Sequence, residues 1–391
     1  MKVLFWMNTS FTTTSKHLLI SILDELLKDG IQVTIIKKQI DGEEDTPVEL
    51  FEKNIECIAI PFKNPRKKNL FARYIADVIY VLKSNKFLNV PYDAIFVQSS
   101  NVAGFSFFLL EKKQPKAKKT YNVQDIFPYN AAYAGTIKKN GLIFKIFEIE
   151  QKYAYKKADQ IITISEDMKK TLMEDGVDGN KIDVIYNWSY QNEPYNVNSH
   201  EYCFVSNIYN KHFFNVVYAG NVGVMQNVDL FIDTAILMRN NKSVWFHVIG
   251  NGVYKDKLIK KAQENGVTNI SFWPMQPAKL APYIYSFADL NVIPLMKDVY
   301  KTALPSKTAT CLLCGKPIVF AIGTNSEFGK KISDYHYVID SDDPEQLKTI
   351  INDLIEGNAS KKEMIVYSEF SKTRNSRLYA DIICNMKGVI S

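Results

Sequence analysis

The segment Val217-Tyr218-Ala219-Gly220-Asn221-Val222-Gly223 gives the clearest indication of the fold of the second half of this chain. Its apolar residues are typical of a buried strand, and the strand runs into a Gly-x-x-Gly turn that opens a helix. Glycines in such a turn let backbone N–H groups approach a phosphate, and the helix N-terminus adds a partial positive charge. Glycines are common where a strand turns into a helix, so a purely structural role of this turn stays open.

Strands and helices alternate in both directions from this stretch. Strands are predicted at 2–7, 32–37, 94–98, 119–123 and 160–165, and again at 215–219, 245–249, 270–273, 290–294 and 317–321. Helices are predicted between them, the first at 15–28. This alternation predicts an α/β fold with two Rossmann-like halves, in which ligands bind at the carboxyl ends of parallel strands.

The alternation stops near Asn187 and resumes near Asn215, which places an inter-domain connection in the polar and aromatic segment 189–211. We therefore expect an N-terminal domain at 1–190 and a C-terminal domain at 210–370. A C-terminal helix at about 371–391 is expected to pack back on the first domain.

Two further turns of the second half resemble phosphate sites. Val248-Ile249-Gly250-Asn251-Gly252 repeats the strand-to-glycine pattern one unit later. Ala303-Leu304-Pro305-Ser306-Lys307-Thr308-Ala309-Thr310 would open a helix with a hydroxyl, an ammonium and free backbone donors, a combination that suits a diphosphate. The alternative for this last segment is an ordinary capped helix.

The common catalytic signatures are absent from the sequence, namely G-x-G-x-x-G, the Walker A motif, H-E-x-x-H and G-x-S-x-G. Their absence argues against NAD enzymes, P-loop ATPases, zincins and α/β-hydrolases. Five His disfavour a multi-His metal site, so no metal is expected. The five Cys have no disulfide rhythm, and Cys311 and Cys314 are interpreted as two core thiols on one helix face.

Basic residues are concentrated in one region: residues 61–160 hold 18 Lys/Arg against 7 Asp/Glu, although the whole chain carries only +6. Within it, lysines alternate with aromatic rings in a way that suits an anionic membrane interface, at Lys138, Lys139, Phe144, Lys145 and Phe147. A solvated basic face is the alternative, and no recognition motif supports nucleic acid as a partner. No apolar run approaches the roughly 18 residues that span a bilayer. We expect an intracellular protein, cytoplasmic and peripheral at the inner face of the cell membrane.

Taken together, these motifs resemble glycosyltransferase family 4 enzymes of GT-B fold, particularly the bacterial polysaccharide branch with L-fucosamine-type transferases. The resemblance covers nearly the whole chain and is carried by motifs in family order, namely Val123-Gln124-Asp125-Ile126-Phe127-Pro128, Ala158-Asp159-Gln160-Ile161-Ile162-Thr163-Ile164-Ser165-Glu166, Lys181-Ile182-Asp183-Val184-Ile185-Tyr186-Asn187-Trp188, Gly220-Asn221-Val222-Gly223, Ile249-Gly250-Asn251-Gly252, Ala288-Asp289-Leu290, Leu304-Pro305-Ser306-Lys307 and Cys314-Gly315-Lys316-Pro317. It implies two Rossmann-like domains that face each other across a cleft.

The resemblance also assigns residues to a donor, an acceptor and a catalytic site. A nucleotide sugar would bind the C-terminal domain at Gly220, Asn221, Val222, Gly223, Gly250, Asn251, Gly252, Pro274, Met275, Ser306, Lys307, Thr308 and Thr310. The acceptor would bind Thr13, Thr14, Ser15 and Asp125 in the N-terminal domain. Lys307 and Asp125 would be the catalytic residues, and the alternative for Asp125 is a turn residue before Pro128.

The sequence departs from the wider family at several of these positions. Asn221 and Gln226 stand where most members have Arg and Lys, and Thr310 replaces the usual carboxylate. The segment 9–15, rich in Thr and Ser, replaces a Gly-Gly turn. The diphosphate charge would then fall on Lys307 and helix dipoles, with Lys297 and Lys301 as helpers.

The resemblance implies a retaining, metal-independent glycosyltransferase without a cofactor, which uses a nucleotide sugar, by family habit a UDP-sugar. Its sugar could be an N-acetylated aminosugar, and its acceptor a lipid-diphosphate-linked glycan in capsule, O-antigen or exopolysaccharide synthesis. Because of the departures, two alternatives stay open: a catalytically weak GT-B subunit that supports a partner enzyme, and a GT-B sugar-nucleotide epimerase.

Overall fold

The computed structural model describes residues 1–10, 16–40, 55–63, 65, 70–190, 205, 208–209, 212–358 and 368–384. The chain divides into two compact units, the first formed by Met1–Asn187 with Lys372–Ser391 and the second by Trp188–Ser371. Each unit is a parallel sheet with helices packed against it.

The first unit contains a seven-stranded parallel sheet in the order β3-β2-β1-β4-β5-β6-β7. Its strands are β1 Lys2–Trp6, β2 Gln32–Ile40, β3 Glu56–Phe62, β4 Ala94–Gln98, β5 Lys118–Val123, β6 Gln160–Thr163 and β7 Ile182–Val184. Its helices include α1 Lys16–Lys28, α2 Leu70–Ser84, α3 Ala103–Lys113, α4 Tyr129–Tyr133, α5 Leu142–Lys157 and α6 Glu166–Glu174. Val3, Leu4 and Phe5 of β1 are fully buried, because a central parallel strand is covered on both faces.

The second unit contains a six-stranded parallel sheet in the order β10-β9-β8-β11-β12-β13. Its strands are β8 Phe214–Ala219, β9 Val244–Ile249, β10 Ile270–Trp273, β11 Leu290–Pro294, β12 Ile318–Ala321 and β13 Tyr337–Ile339. Its described helices include α7 Val228–Leu237, α8 Lys255–Glu264, α9 Ala281–Phe287, α10 Thr308–Leu313, α11 Glu327–Ile332 and α12 Pro344–Glu356. The order of strands reverses between β8 and β11, and this switch point is where ligands bind in doubly wound sheets.

The last helix, α13 (Lys372–Cys384), packs within the first unit. Asn375 donates a hydrogen bond to the Tyr186 carbonyl at 2.8 Å, and the buried Tyr379 hydroxyl donates to Asn122 Oδ1 at 3.1 Å. Arg377 forms an ion pair with Asp29 at 2.7 Å. The chain therefore leaves the first unit after Asn187 and returns to it with α13.

The two Rossmann-like halves predicted from the sequence are confirmed. Every predicted strand is present, and the predicted Ser165 cap accepts a hydrogen bond from the Met168 amide at 3.2 Å. Strands β3, β7 and β13 were not predicted. The last two are only three residues long, too short for a periodic pattern, and β3 contains a proline.

A buried ion pair joins β2 to α2 and gives a stability prediction. The Lys38 ammonium donates to Asp77, both side chains are almost fully buried, and burial lowers the pKa of Lys38. We expect Asp77→Asn to destabilise the protein by about 3 kcal/mol, because it leaves a buried charge without its partner. Glu148→Gln, which breaks a half-exposed pair with Lys152, should cost less than about 1 kcal/mol. Urea unfolding of both variants tests this, and equal costs would contradict it.

Candidate functional site

Two turns at the carboxyl edge of the second sheet are interlocked through their backbones. Gly220 follows β8 with φ 139°, and Gly250 follows β9 with φ 153°. A Cβ on Gly250 would lie 1.8 Å from the Gly220 carbonyl oxygen, and one on Gly252 would lie 2.1 Å from that of Val222. The Val222 amide also donates to the Asn251 carbonyl at 2.9 Å. Glycine is therefore required at Gly250 and Gly252 by the space between the two turns.

A neutral hydrogen-bonded pair closes the first turn. Gln226 Oε1 accepts from the Gly223 amide and from Asn221 Nδ2, both at 3.1 Å. The sequence predicted a helix after this turn, and α7 follows at Val228, after a short 3-10 turn at Val224–Gln226. Asn227, at φ 45°, separates the two. The turn thus carries no charged side chain at Asn221 or Gln226.

Lys307 is the N-cap residue of α10, and its ammonium reaches back to the first turn. Its Nζ lies 3.8 Å from the centroid of the Tyr218 ring, and a Cβ added to Gly220 would lie 2.9 Å from it. The Nζ atom is buried and makes no hydrogen bond within the described part of the chain. Desolvation lowers the pKa of Lys307 to about 8. A buried ammonium without an anionic partner is suited to binding an anion.

The hydroxyls around Lys307 differ in what they contact. Thr308 Oγ1 is buried and has no hydrogen-bond partner among the residues the structure describes. Ser306 is exposed. Thr310 Oγ1 instead donates to Ser189 Oγ at 3.2 Å, so this hydroxyl already has a partner within the unit. Ser306, Lys307 and Thr308 therefore lie together at the start of α10, as predicted.

The loops after β9 and β10 are held together by a lysine that the sequence analysis missed. Lys255 Nζ donates to the carbonyls of Gly250 at 2.7 Å and Trp273 at 2.6 Å. The next two residues, Pro274 and Met275, are exposed.

The Trp273 indole is fixed from within the sheet. Its Nε1 donates to His247 Nδ1 at 3.2 Å, and burial lowers the pKa of His247 to about 4, so the ring is neutral at pH 7. The Trp273 side chain is therefore held in place before the exposed loop begins.

The acceptor residues predicted for the first unit are only partly described. Asp125 follows β5, and its side chain is exposed to solvent. Gln124 beside it accepts a hydrogen bond from Asn187 Nδ2 at 2.8 Å and donates to Tyr379 at 3.3 Å. Thr13, Thr14 and Ser15 lie outside the described residues.

The prediction for the membrane-facing rings is wrong. Phe144 and Phe147 of α5 are only 2% and 8% exposed, and they pack against Tyr129 and Phe127. The helical period places both rings on the buried face of α5. A different set of apolar side chains faces solvent, namely Leu142, Ile143, Ile146 and Ile149. Leu142 is 77% exposed and Ile149 is 69% exposed. Lys138, Lys139 and Lys145 are exposed as predicted.

No described group of three or more His, Cys, Asp or Glu side chains could hold a metal ion. Cys311 is buried, and Cys314 Sγ donates to the Thr310 carbonyl at 3.0 Å, in keeping with two core thiols. Among the helices described, none has both the length and the apolar character to cross a bilayer.

Two family models match the chain in tandem. That of glycosyltransferase family 4 matches residues 17–188, and that of glycosyl transferases group 1 matches residues 204–369. The chain belongs to glycosyltransferase family 4. The resemblance drawn from its motifs is thereby confirmed.

Relatives of this family 4 chain are distant. WbjE of Pseudomonas aeruginosa, named as a glycosyltransferase, is 24% identical over 238 residues, which make up 60% of this chain and 59% of WbjE. WcaI of Escherichia coli (strain K12), named as a glycosyl transferase of colanic acid biosynthesis, is 23% identical over 238 residues, 60% of this chain and 58% of WcaI. These matches span less than two thirds of the length of either relative.

The fold of this family 4 chain is similar to that of Anabaena HepE, which was crystallised in complex with UDP. The two structures align with a TM-score of 0.62 over 98% of this chain and 95% of HepE, at 15% identity. At 15% sequence identity, this structural similarity establishes the fold, which is GT-B, and not the substrate.

The interlocked turns generate a matched pair of substitutions. Gly250→Ala should destabilise the second unit by about 3 kcal/mol or more and displace the Gly220 turn, because the new methyl would overlap a backbone oxygen. Gly266 also has a positive φ, of 65°, but open space around it, so Gly266→Ala should cost only about 1 kcal/mol. Urea unfolding of the two variants measures the difference, and a Gly250→Ala cost as small as that of Gly266→Ala would refute the interlock.

Proposed function

We propose that this chain is a glycosyltransferase that takes its sugar from a nucleoside-diphosphate donor, a UDP-sugar, bound at the carboxyl edge of the second unit. The observation that carries the proposal is the buried Lys307 ammonium, which lies beside the Gly220 turn without an anionic partner among the described residues. The UDP complex of HepE, a protein of the same fold, supports the choice of base.

In this proposal Lys307 stabilises the leaving diphosphate. With a pKa of about 8 its ammonium is mostly charged at pH 7, and a preorganised charge in a buried site needs little reorganisation during the reaction. The Gly220 and Gly250 turns place the backbone close to the same point. The protein then supplies charge and position, and we propose that transfer needs no metal or cofactor and retains the anomeric configuration.

Asp125 is proposed to contact the sugar or the acceptor. Its carboxyl is exposed at the end of β5, where it is free to accept a hydrogen bond from a hydroxyl. The names of WcaI and WbjE support a role in bacterial polysaccharide synthesis.

We further propose that the acceptor is a lipid-diphosphate-linked glycan at the anionic inner face of the cell membrane. The outer face of α5 presents Leu142, Ile143, Ile146 and Ile149 to solvent beside Lys138, Lys139 and Lys145. A second exposed apolar stripe runs along α2, at Phe71, Ile75, Ile79 and Leu82. The two helices meet where Tyr74 packs edge-on against Phe147, 5.3 Å apart. Apolar stripes flanked by lysines are typical of helices that lie in an anionic interface.

One specific observation favours a second candidate. The neutral pair Asn221–Gln226 and the hydrogen-bonded Thr310 replace three charged groups of the wider family. They fit a catalytically weak GT-B subunit that supports a partner enzyme, so the test must measure donor binding as well as transfer.

The first test of this function is a thermal-shift panel with UDP, GDP, ADP, TDP and CMP, without metal. UDP at 100 times its Kd should stabilise the protein by about 2.7 kcal/mol. Lys307→Ala should lose this stabilisation and at least about a hundredfold in transfer rate, because one preorganised donor to the developing charge is removed. Its Tm without ligand should not fall, since the variant no longer buries an unpaired charge.

Lys330→Ala is the matched control, because this lysine is exposed on α11 and pairs with Glu327 at 3.0 Å. It should keep both the UDP response and the transfer rate. A UDP response without transfer in the wild-type protein would favour the weak subunit. No response to any nucleotide, or full activity of Lys307→Ala, would overturn the donor-site assignment.

Membrane docking gives a separate prediction. Leu142→Ser with Ile146→Ser should strongly reduce binding to vesicles containing about 30% anionic phospholipid, because two exposed anchors of α5 are removed. Leu237→Ser, at an exposed apolar site on α7, should bind like the wild type. Vesicle flotation measures both, and equal binding of both variants would refute docking through α5.

A further inference from the structure

Tyr218 touches both parts of the candidate donor site. It is fully buried on β8, and its ring lies 3.8 Å from Lys307 Nζ. Its hydroxyl donates a hydrogen bond to the Asn221 carbonyl, inside the turn that follows the strand. One side chain therefore contacts the cation of the site with its ring and the glycine turn with its hydroxyl.

The ring is the favourable contact that the structure gives to the Lys307 charge. None of the described carboxylates forms a salt bridge with Lys307. The titratable groups beside it are Tyr218, whose ring it covers, and Cys311 of α10. Burial raises the pKa of both, so both are neutral at pH 7. An ammonium over an aromatic face is attracted to the electron-rich ring, and more strongly when water is excluded.

We propose that Tyr218 is a positioning residue for the donor diphosphate. Its ring holds the Lys307 ammonium beside Gly220, while its hydroxyl holds the Asn221 carbonyl, so that cation and turn keep one fixed arrangement. This inference rests on the proposed function, because it assigns a role in binding that donor. Asn221 and Gln226 are neutral, so Lys307 carries more of the attraction for the diphosphate. The position of its ammonium therefore has a larger effect on donor binding.

The role predicts a pH signature. Desolvation already holds the pKa of Lys307 below its usual range, and the ring favours the charged form, so removing the ring should lower that pKa. An anionic donor binds the charged form, so UDP affinity should be retained below that pKa and lost as the pH rises through it. Removing the ring should move this loss to lower pH.

The experiment compares three variants by calorimetric titration with UDP from pH 6 to 9.5. Tyr218→Phe keeps the ring and loses the hydroxyl, whereas Tyr218→Met fills similar space without a ring. Tyr285→Phe is the matched control, because it removes another buried hydroxyl, which donates to the Ala219 carbonyl at 3.2 Å, and leaves the Tyr218 ring in place. Tm values of all variants report on the cost to the fold.

We expect Tyr218→Met to bind UDP about tenfold more weakly at pH 7.5 and to lose affinity at lower pH than the wild type. Tyr218→Phe should keep the wild-type pH profile and lose affinity by only about threefold, since the turn loses one neutral hydrogen bond. Tyr285→Phe should lower the Tm without changing the profile.

Two outcomes would overturn the inference. Tyr218→Met with wild-type affinity and an unchanged pH profile would mean that Tyr218 serves the fold alone. If the pH profile of UDP binding shifts as far in Tyr218→Phe as in Tyr218→Met, the hydroxyl and not the ring sets the pKa of Lys307. If Tyr218→Met does not fold, Tyr218→Leu, which also lacks a ring, replaces it with the same two expected results, weaker UDP binding and loss of affinity at lower pH. Failure of the wild-type protein to bind any nucleoside diphosphate would instead overturn the proposed function.

Discussion

The close approach of two backbone turns is the constraint on which the candidate site depends. Gly250 and Gly252 have no room for a side chain, because the carbonyls of Gly220 and Val222 lie where a Cβ would be. This contact fixes the turn after β8 against the turn after β9 at the carboxyl edge of the sheet. Lys307 then reaches the Gly220 turn from the start of α10, close to the β8–β11 switch point. The position of the site thus follows from strand order and from glycine.

Few charged side chains line the candidate donor site. Gln226 and Asn221 close the turn with neutral hydrogen bonds, and Thr310 is bonded to Ser189. Lys307 is left as a buried cation with an aromatic ring beneath it. Burying an unpaired ammonium costs free energy in the folded protein, and an incoming diphosphate would repay that cost. We infer that donor binding and the stability of the second unit are linked through this residue.

The sequence predicted the fold well and the site in part, for physical reasons. Long buried strands and the glycine turns have local patterns, so β1, β8 and the turn at Gly220 could be predicted. Strands of three residues such as β13 have no such pattern. The Phe144 and Phe147 rings were predicted to face a membrane because lysines alternate with them in sequence, but their spacing by three places both rings on one buried helix face. Tyr218 lies in the strand before the Gly220 turn, and its contact with Lys307 joins residues 89 positions apart, which no local pattern predicts.

The central claim is that Lys307 binds the donor diphosphate. A crystal structure of the wild-type protein with UDP tests it most directly. The account predicts a phosphate oxygen within about 2.7–3.2 Å of Lys307 Nζ, with the Gly220 turn around the same phosphate and the Tyr218 ring still beneath the ammonium. UDP bound elsewhere, or bound with Lys307 making no contact to phosphate, would contradict it.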